Sequence, residues 1–168
     1  ALILSPVSEK YIEGGDALEA FSEALEAVLS RLSEMLVADG EGATKSVKIH
    51  VINAATDDDA ALIARSVAQS LLVKTAFFGN DPNWGRIACA AGYSGAALEE
   101  EKLSILINDT ALLNNGIPEN VDYAVLEKIL QKRNYTITVD AGLGDGDAIM
   151  LTTDISYDYI KINAQYST

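Results

Sequence analysis

Cysteine and histidine are nearly absent from this chain, which has one of each among its 168 residues. A single cysteine, Cys89, leaves no partner for a disulfide within the chain, and this scarcity is typical of proteins kept in a reducing compartment. One cysteine and one histidine are also too few for a structural zinc site, which takes about four such ligands. We therefore expect neither a disulfide framework nor a metal site.

Positive charge and long apolar runs are scarce as well. Lys and Arg number 12 against 25 Asp and Glu, so the formal net charge is −13 at pH 7. Proteins that bind nucleic acid place clustered Lys and Arg against the phosphates, and this balance argues against such a partner. Hydrophobic residues make up 49% of the chain, yet no run approaches the about 20 apolar residues of a membrane span. We therefore expect no nucleic-acid partner and no membrane partner.

The order of apolar and polar residues predicts a mixed α and β class. The clearest pattern is a helix over residues 14–38, where apolar side chains recur three and four positions apart and form one stripe. Further helices are predicted over residues 57–72, 87–91 and 121–132. Strands are predicted over residues 2–5, 45–51, 73–78, 102–108, 135–139, 148–156 and 159–166.

The order of these elements predicts two structural units. Residues 45–142 alternate strands and helices, as a smaller α/β domain does. Residues 1–44 and 143–168 are assigned together to a different layer. The glycine-rich GLGDGD of residues 142–147 lacks the Lys-Ser/Thr that ends a phosphate-binding P-loop. We interpret it as a hairpin or a crossing between layers.

A tight loop follows the predicted strand over residues 73–78. Its sequence, GNDPN of Gly79–Asn83, concentrates residue types that favour turns. Trp84, the only tryptophan of the chain, comes next, and Arg86 follows it closely. These two side chains either hold the loop on the core or take part in a functional site, and both interpretations stay open.

Three stretches of the sequence, in the same order, resemble the β subunit of glutamate N-acetyltransferase, also called ornithine acetyltransferase. They are DGEGATK of Asp39–Lys45, LVKTAFFGNDPNWGR of Leu72–Arg86 and TTDISYDYIKINAQYST of Thr152–Thr168. The resemblance extends over nearly the whole chain. It implies an α+β fold with layered mixed sheets and helices. Residues 1–44 and 143–168 would then belong to an α/β/β/α core layer like that of amino-terminal-nucleophile proteins, beside the smaller α/β domain.

The resemblance implies an enzyme of arginine biosynthesis whose precursor cleaves itself into an α and a β chain. The new amino-terminal threonine of the β chain would take the acetyl group from N-acetylornithine as an ester and pass it to glutamate. The α-amine of such a threonine is a nearby base for its hydroxyl, and hydrogen-bond donors stabilise the oxyanion. Ala1 is not this threonine. We therefore expect the chain to begin downstream of the nucleophile and to contain no catalytic residue, with the oxyanion-hole donors on the α chain.

The resemblance assigns substrate binding to Glu41, Asn163 and Thr168. Glu41, in a turn between two glycines, would accept hydrogen bonds from a substrate ammonium group. Asn163 has both a donor and an acceptor, which suit a carboxylate or an amide. Thr168 would offer a hydroxyl beside the terminal carboxylate. Without the resemblance, we would interpret these residues as an exposed turn, a polar strand position and a frayed end.

The resemblance also implies partners and a location. The partners would be the α subunit of the same precursor and the upstream β segment, in an α2β2 assembly, with N-acetylornithine, ornithine and glutamate as ligands. No cofactor is expected, and acetyl-CoA would be a co-substrate if the enzyme is bifunctional. The expected location is the cytoplasm, or the mitochondrial matrix in a eukaryote.

Two other functions remain as alternatives. An amino-terminal-nucleophile aminopeptidase or amidase would share the architecture but release the acyl group to water. A non-catalytic amino-acid-binding subunit would explain why the chain lacks the nucleophile. The DGEG turn and the terminal Asn and Thr favour the transferase, because they suit a free amino acid as acceptor.

Overall fold

The computed structural model describes Ile12 and residues 14–165. This part of the chain contains six α-helices, one short 3₁₀ helix and six β-strands in one mixed sheet. The predicted mixed α and β class is therefore confirmed. The division between two compact units falls between Met35 and Leu36.

Helices and strands follow one another in short groups along the chain. The helices are α1 (Asp16–Ala38), α2 (Asp57–Gln69), α3 (Leu71–Phe78), α4 (Trp84–Gly92), α5 (Tyr123–Leu130) and α6 (Tyr157–Gln165), with a 3₁₀ helix at Glu100–Lys102. The strands are β1 (Ser46–Ala54), β2 (Ser104–Ile107), β3 (Thr110–Asn114), β4 (Ile117–Pro118), β5 (Asn134–Asp140) and β6 (Gly146–Thr153).

The sheet has the order β4-β3-β2-β5-β1-β6. Strands β1 and β5 are parallel, with Ser46 opposite Asn134. Strand β6 runs antiparallel to β1 on its other side, where Ser46 is opposite Thr153. The β2–β3 and β3–β4 pairs are antiparallel. Short connections can therefore join each of these strands to the next one.

The core lies on one face of the sheet, which α2 and α4 cover. Val47, Ile49 and Val51 alternate along β1 and are all fully buried, because successive side chains of a strand point to opposite faces. They pack in one cluster with Ile63 of α2 and Ile87 of α4. Full burial of a side chain such as Ile49 contributes roughly 1.5–3 kcal/mol. Lys48 and His50, which point the other way, stay exposed or half-buried.

Helix α1 forms as the sequence predicts. Asp16 is its first residue, and acidic side chains in its first turn complement the helix dipole. The apolar stripe is present, but α1 has no buried residue among those described. Phe21 and Leu32, for example, are 45% and 47% exposed.

The predicted strand over residues 73–78 is wrong, because these residues form α3. Ser70 begins this helix, and its hydroxyl accepts a hydrogen bond from the Val73 amide. Val73, Ala76 and Phe77 are buried at helical spacing of three and four. A run of this length suits a strand or a helix equally, so only the capping serine favoured the helix.

The predicted strand over residues 159–166 is also wrong, since Tyr157–Gln165 form α6. Ser156 precedes this helix, and its Oγ accepts a hydrogen bond from the Tyr159 amide at 3.1 Å, as an N-cap does. The strand predicted over residues 2–5 lies outside the described residues.

The GLGDGD segment is neither a hairpin between neighbouring strands nor a crossing between layers. It joins β5 to β6, which flank β1 on opposite sides, so it crosses the end of β1 within one sheet. The amides of Leu143 and Gly144 donate to the Asn53 carbonyl at 2.7 and 3.0 Å. The sheet therefore continues across residue 143, the domain boundary that the sequence predicts. The assignment of residues 1–44 and 143–168 to a separate core layer stays a prediction.

In the part of the chain that the structure describes, no single helix is long and apolar enough to span a membrane. Helices α2 and α3 reach that length and composition only as a pair, and they are bent by 57° at their junction.

Candidate substrate-binding site

Glu41 lies in an exposed turn between α1 and β1. The Ala43 amide closes the turn by donating to the Gly40 carbonyl at 3.0 Å. Gly42 has φ of +66°, a left-handed conformation that glycine adopts without steric cost. The Glu41 side chain is exposed, as a residue that contacts a ligand must be before binding.

The turn that carries Glu41 packs directly against the first turn of α6. A Cβ atom added at Gly42 would lie 2.5 Å from the Tyr159 nitrogen and 2.9 Å from its Cα atom. No side chain fits at such a distance from main-chain atoms. Gly42 is therefore required both by its φ value and by the close approach of the two backbones.

One hydroxyl group joins the turn to this helix. Ser156 is 3% exposed, and its Oγ donates to the Gly42 carbonyl at 2.5 Å. The same oxygen accepts from the Tyr159 amide. A serine hydroxyl can donate one hydrogen bond and accept others, so both functions are satisfied at once.

A buried carboxylate holds the other end of the turn. Asp154 is 2% exposed. Its Oδ1 accepts from the amides of Thr44 and Lys45 at 2.9 and 3.0 Å, and its Oδ2 accepts from the Thr44 hydroxyl at 2.5 Å. Hydrogen bonds to an ionised acceptor are stronger than those between neutral groups. The three bonds therefore fix the chain where it leaves the turn and enters β1.

Two lysines lie within electrostatic reach of Asp154. Lys45 Nζ donates to the Leu130 carbonyl at 2.6 Å, and Lys74 Nζ donates to the hydroxyls of Thr152 and Thr153 at 3.2 and 3.3 Å. Burial lowers the pKa of each lysine, and the negative charge of Asp154 partly offsets this shift.

Tyr135 belongs to the same surroundings. Burial, and secondly the charge of Asp154, raise the pKa of its hydroxyl. That hydroxyl is buried without a hydrogen-bond partner among the described residues. An unpartnered buried hydroxyl costs folding free energy, so Tyr135 is a point where this region is less than optimally stable.

Asn163 lies on α6, one helical turn beyond Tyr159. Four residues of helix separate the two, a rise of about 6 Å. The Asn163 side chain is exposed, and its Nδ2 donates to the Tyr159 carbonyl at 2.9 Å. The structure thus brings the turn of Glu41 to the beginning of the helix that carries Asn163. Thr168, the third predicted binding residue, lies outside the described residues.

The loop before α4 supports the architectural interpretation of Trp84 and Arg86. Arg86 Nη1 donates to the Leu72 carbonyl at 2.9 Å, which ties α4 to α3. Asn83 begins α4, and its Oδ1 accepts from the Arg86 amide at 3.1 Å. Trp84 is partly buried against the hydrophobic core. These contacts explain both side chains as parts of the scaffold.

Sequence reasoning missed the parts played by Asp154 and Ser156. The available signal was local: a serine placed three residues before Tyr159, which is the spacing of an N-cap. No local signal pointed to Asp154, whose partners are 109 and 110 positions away. Across the residues that the structure describes, no group of three or more His, Cys, Asp or Glu is arranged to hold a metal ion.

The comparisons with known proteins agree with one another. The model of the ArgJ family matches residues 2–168. The arginine biosynthesis bifunctional protein ArgJ of Geobacter sulfurreducens is 46% identical over 157 residues, which are 93% of this chain and 40% of that protein. The glutamate N-acetyltransferase of Methanothermobacter thermautotrophicus is 42% identical over 156 residues, 88% of this chain and 39% of that protein.

A relative from Schizosaccharomyces pombe is named as mitochondrial. This arginine biosynthesis bifunctional protein ArgJ is 43% identical over 156 residues, 89% of this chain and 35% of that protein. The crystal structure of ArgJ from Bacillus halodurans superposes with a TM-score of 0.89 at 34% identity, covering 95% of this chain and 75% of that one. The chain thus spans about 40% of the length of the curated relatives that it matches.

Proposed function

The chain belongs to the ArgJ family, and on this basis we propose that it is part of an acetyltransferase of arginine biosynthesis. The enzyme would move an acetyl group from N-acetylornithine to glutamate. One observation carries the proposal: the family match covers residues 2–168, and relatives above 40% identity are named as glutamate N-acetyltransferase or as arginine biosynthesis proteins.

We propose that this chain supplies substrate-binding residues. Glu41, exposed on its turn, would accept hydrogen bonds from an ammonium group of the amino acid. Asn163, exposed on α6, would hydrogen-bond a carboxylate or an amide through its side-chain donor and acceptor. Thr168 would add a hydroxyl. The contact between the Gly42 backbone and the beginning of α6 supports this proposal, because Glu41 and Asn163 then lie on adjoining elements.

The chemistry would need a threonine nucleophile outside this chain. Its hydroxyl would attack the acetyl carbonyl of N-acetylornithine, and the amide C–N bond would break as ornithine leaves with a proton on its amine. The amine of glutamate would then attack the acetyl ester and regenerate the hydroxyl. Donors on an α subunit would stabilise the oxyanion of each step. The α subunit and the upstream β segment are therefore the proposed partners, in an α2β2 assembly.

We propose no cofactor for this cycle, since the threonine carries the acetyl group. Acetyl-CoA would serve as a second donor in a bifunctional enzyme, a term that the names of several relatives contain. The proposed location is the cytoplasm, or the mitochondrial matrix in a eukaryote. The mitochondrial names of the Schizosaccharomyces relatives support the second part of this proposal.

The proposal is tested with the product of the whole gene that encodes this chain. N-acetylornithine and glutamate are incubated with the purified protein, and ornithine, N-acetylglutamate and acetate are separated and quantified. The expected result is equal formation of ornithine and N-acetylglutamate. Release of ornithine and acetate alone would indicate an aminopeptidase or amidase. Binding of the amino acids without any product would indicate a non-catalytic subunit.

A further inference from the structure

We propose that Asp154 and Ser156 are positioning residues for substrate binding. In this inference, which rests on the proposed function, they hold the turn of Glu41 and helix α6 in one arrangement. The side chains of Glu41 and Asn163, which would contact the amino acid, then keep a constant separation. Neither Asp154 nor Ser156 is expected to contact the substrate, because both are buried.

Strands β1 and β6 part just before the turn of Glu41 and helix α6. Their antiparallel pairing ends at Ser46 opposite Thr153. Beyond this pair, the backbone of Asp154 turns away toward α6, and Lys45 and Thr44 lead toward the turn of Glu41. The amides of Thr44 and Lys45 would be left without strand partners, and the Asp154 carboxylate accepts from both. The side chain thus continues the hydrogen bonding of the sheet past its last backbone pair.

The Ser156 hydroxyl connects the beginning of α6 to the turn. The first amides of a helix have no partner within the helix, and Ser156 accepts from one of them, that of Tyr159. Its hydroxyl proton is directed at the Gly42 carbonyl. The start of α6 is therefore determined by the position of the turn. A movement of one element without the other would break the part-buried hydrogen bond between Ser156 and Gly42.

The hydroxyl of Ser156 links the two side chains that would bind the amino acid. Glu41 is adjacent to Gly42, whose carbonyl accepts from Ser156, and Asn163 lies about two turns along the helix that Ser156 begins. A ligand that contacts both side chains gains affinity when their separation is set before it binds, since it then orders no protein segment. Loss of the Ser156 hydroxyl should therefore weaken binding more than it slows the chemical step.

The test compares two identical substitutions in the complete, self-cleaved protein. Ser156→Ala removes the hydroxyl that joins the turn to α6. Ser66→Ala is the matched control, because the Ser66 hydroxyl also donates one short bond to a backbone carbonyl, that of Ala90 at 2.6 Å. That bond joins α2 to α4, away from the turn. One net hydrogen bond corresponds to about two- to tenfold in an equilibrium constant.

Ser156→Ala should raise the KM for N-acetylornithine about two- to tenfold with a smaller change in kcat, whereas Ser66→Ala should leave KM unchanged. In the Glu41→Ala background, the effect of Ser156→Ala on KM should shrink, because the turn no longer carries the binding group. An unchanged KM in Ser156→Ala, or the same rise in both backgrounds, overturns the inference. A wild-type protein that transfers no acetyl group overturns the proposed function first, and the inference with it.

Hydrogen exchange of the wild-type protein is a second test that needs no variant. Saturating N-acetylornithine should increase the protection of residues 40–45 and of residues 157–163 together, because the two segments form one unit. Protection of only one of the two segments would contradict the inference even if Ser156→Ala failed to fold.

Discussion

Asp154→Asn should destabilise the protein strongly, although it changes neither the shape nor the volume of a side chain by much. The native carboxylate is 2% exposed and accepts three hydrogen bonds, from the two amides and the hydroxyl that precede β1. An asparagine keeps one oxygen for the two amides, and its NH₂ group would face the Thr44 hydroxyl, which can turn and accept from it. All three bonds then lose their ionic character.

The magnitude follows from these contacts. A hydrogen bond to a charged group contributes about 1.5–3 kcal/mol and a neutral one about 0.5–1.5 kcal/mol, so three weakened bonds cost about 3 kcal/mol. For the longer product of the whole gene, such a loss lowers Tm by roughly 5 °C.

The assay is thermal unfolding of the whole gene product, wild type and variant, at pH 7. Asp145→Asn is the control, because Asp145 is an exposed carboxylate in the β5–β6 connection. Its substitution should change Tm by no more than about 1 °C. If Asp154→Asn and Asp145→Asn unfold at the same temperature, the carboxylate does not stabilise the junction of β1 and β6, and the reasoning is refuted.

The pH dependence of the same variant gives an internal check. The pKa values of Lys45 and Lys74 lie below the ordinary 10.5, because burial disfavours their charged forms. Through these two groups the unfolded state binds more protons than the folded state, so the contribution of the two lysines to stability rises with pH up to about 10.5. Removing the Asp154 charge should lower both pKa values further. The rise in stability should therefore begin at a lower pH in Asp154→Asn than in the wild type.

Three further outcomes are expected. Deletion of Thr168 should impair acetyl transfer, and full activity of the variant without it would show that this residue does not bind substrate. Tyr135→Phe should raise the free energy of unfolding by about 1 kcal/mol at pH 7, because it removes a buried hydroxyl without a partner among the described residues. The raised pKa of Tyr135 keeps its proton on the folded state above the ordinary 10.0, so the contribution of Tyr135 to wild-type stability should fall as pH rises past that value. The advantage of the variant over the wild type should therefore widen there, and an advantage that narrows would contradict this assignment. Gly42→Ala should lower the free energy of unfolding in urea by about 1–3 kcal/mol, because residue 42 has a positive φ and lies against the Tyr159 backbone. The control Gly92→Ala should be tolerated, since Gly92 ends α4 with open space around it. Equal stability of the two variants would disprove the close packing of the turn.

Long periodic patterns were predicted correctly from the sequence. Helix α1 has several turns of apolar spacing, and β1 alternates buried and exposed side chains over most of its length. Both patterns are long enough to separate a period of 3.6 residues from a period of two. The same reasoning failed for Val73–Phe78 and for residues 159–166, where short runs of apolar residues suit either element.

The candidate site was predictable only in part. The family resemblance pointed to Glu41 and Asn163 residue by residue, and their roles stay predictions. The contact that joins their elements was hidden from any local pattern, since Ser156 and Gly42 are 114 positions apart. The order β5-β1-β6 was hidden for the same reason. Which strands become neighbours depends on packing across the whole unit, and the local sequence does not record it.

The measurement that tests the account most directly is the KM of Glu41→Ala for N-acetylornithine. The central claim is that this chain binds the substrate of an acetyltransferase through Glu41, on the turn that packs against α6. Glu101→Ala is the control, because Glu101 is an exposed acid in the 3₁₀ helix. We expect KM to rise at least about tenfold in Glu41→Ala, as the loss of one charged hydrogen bond implies, with Tm close to that of Glu101→Ala. A KM equal to that of the wild type would contradict the account.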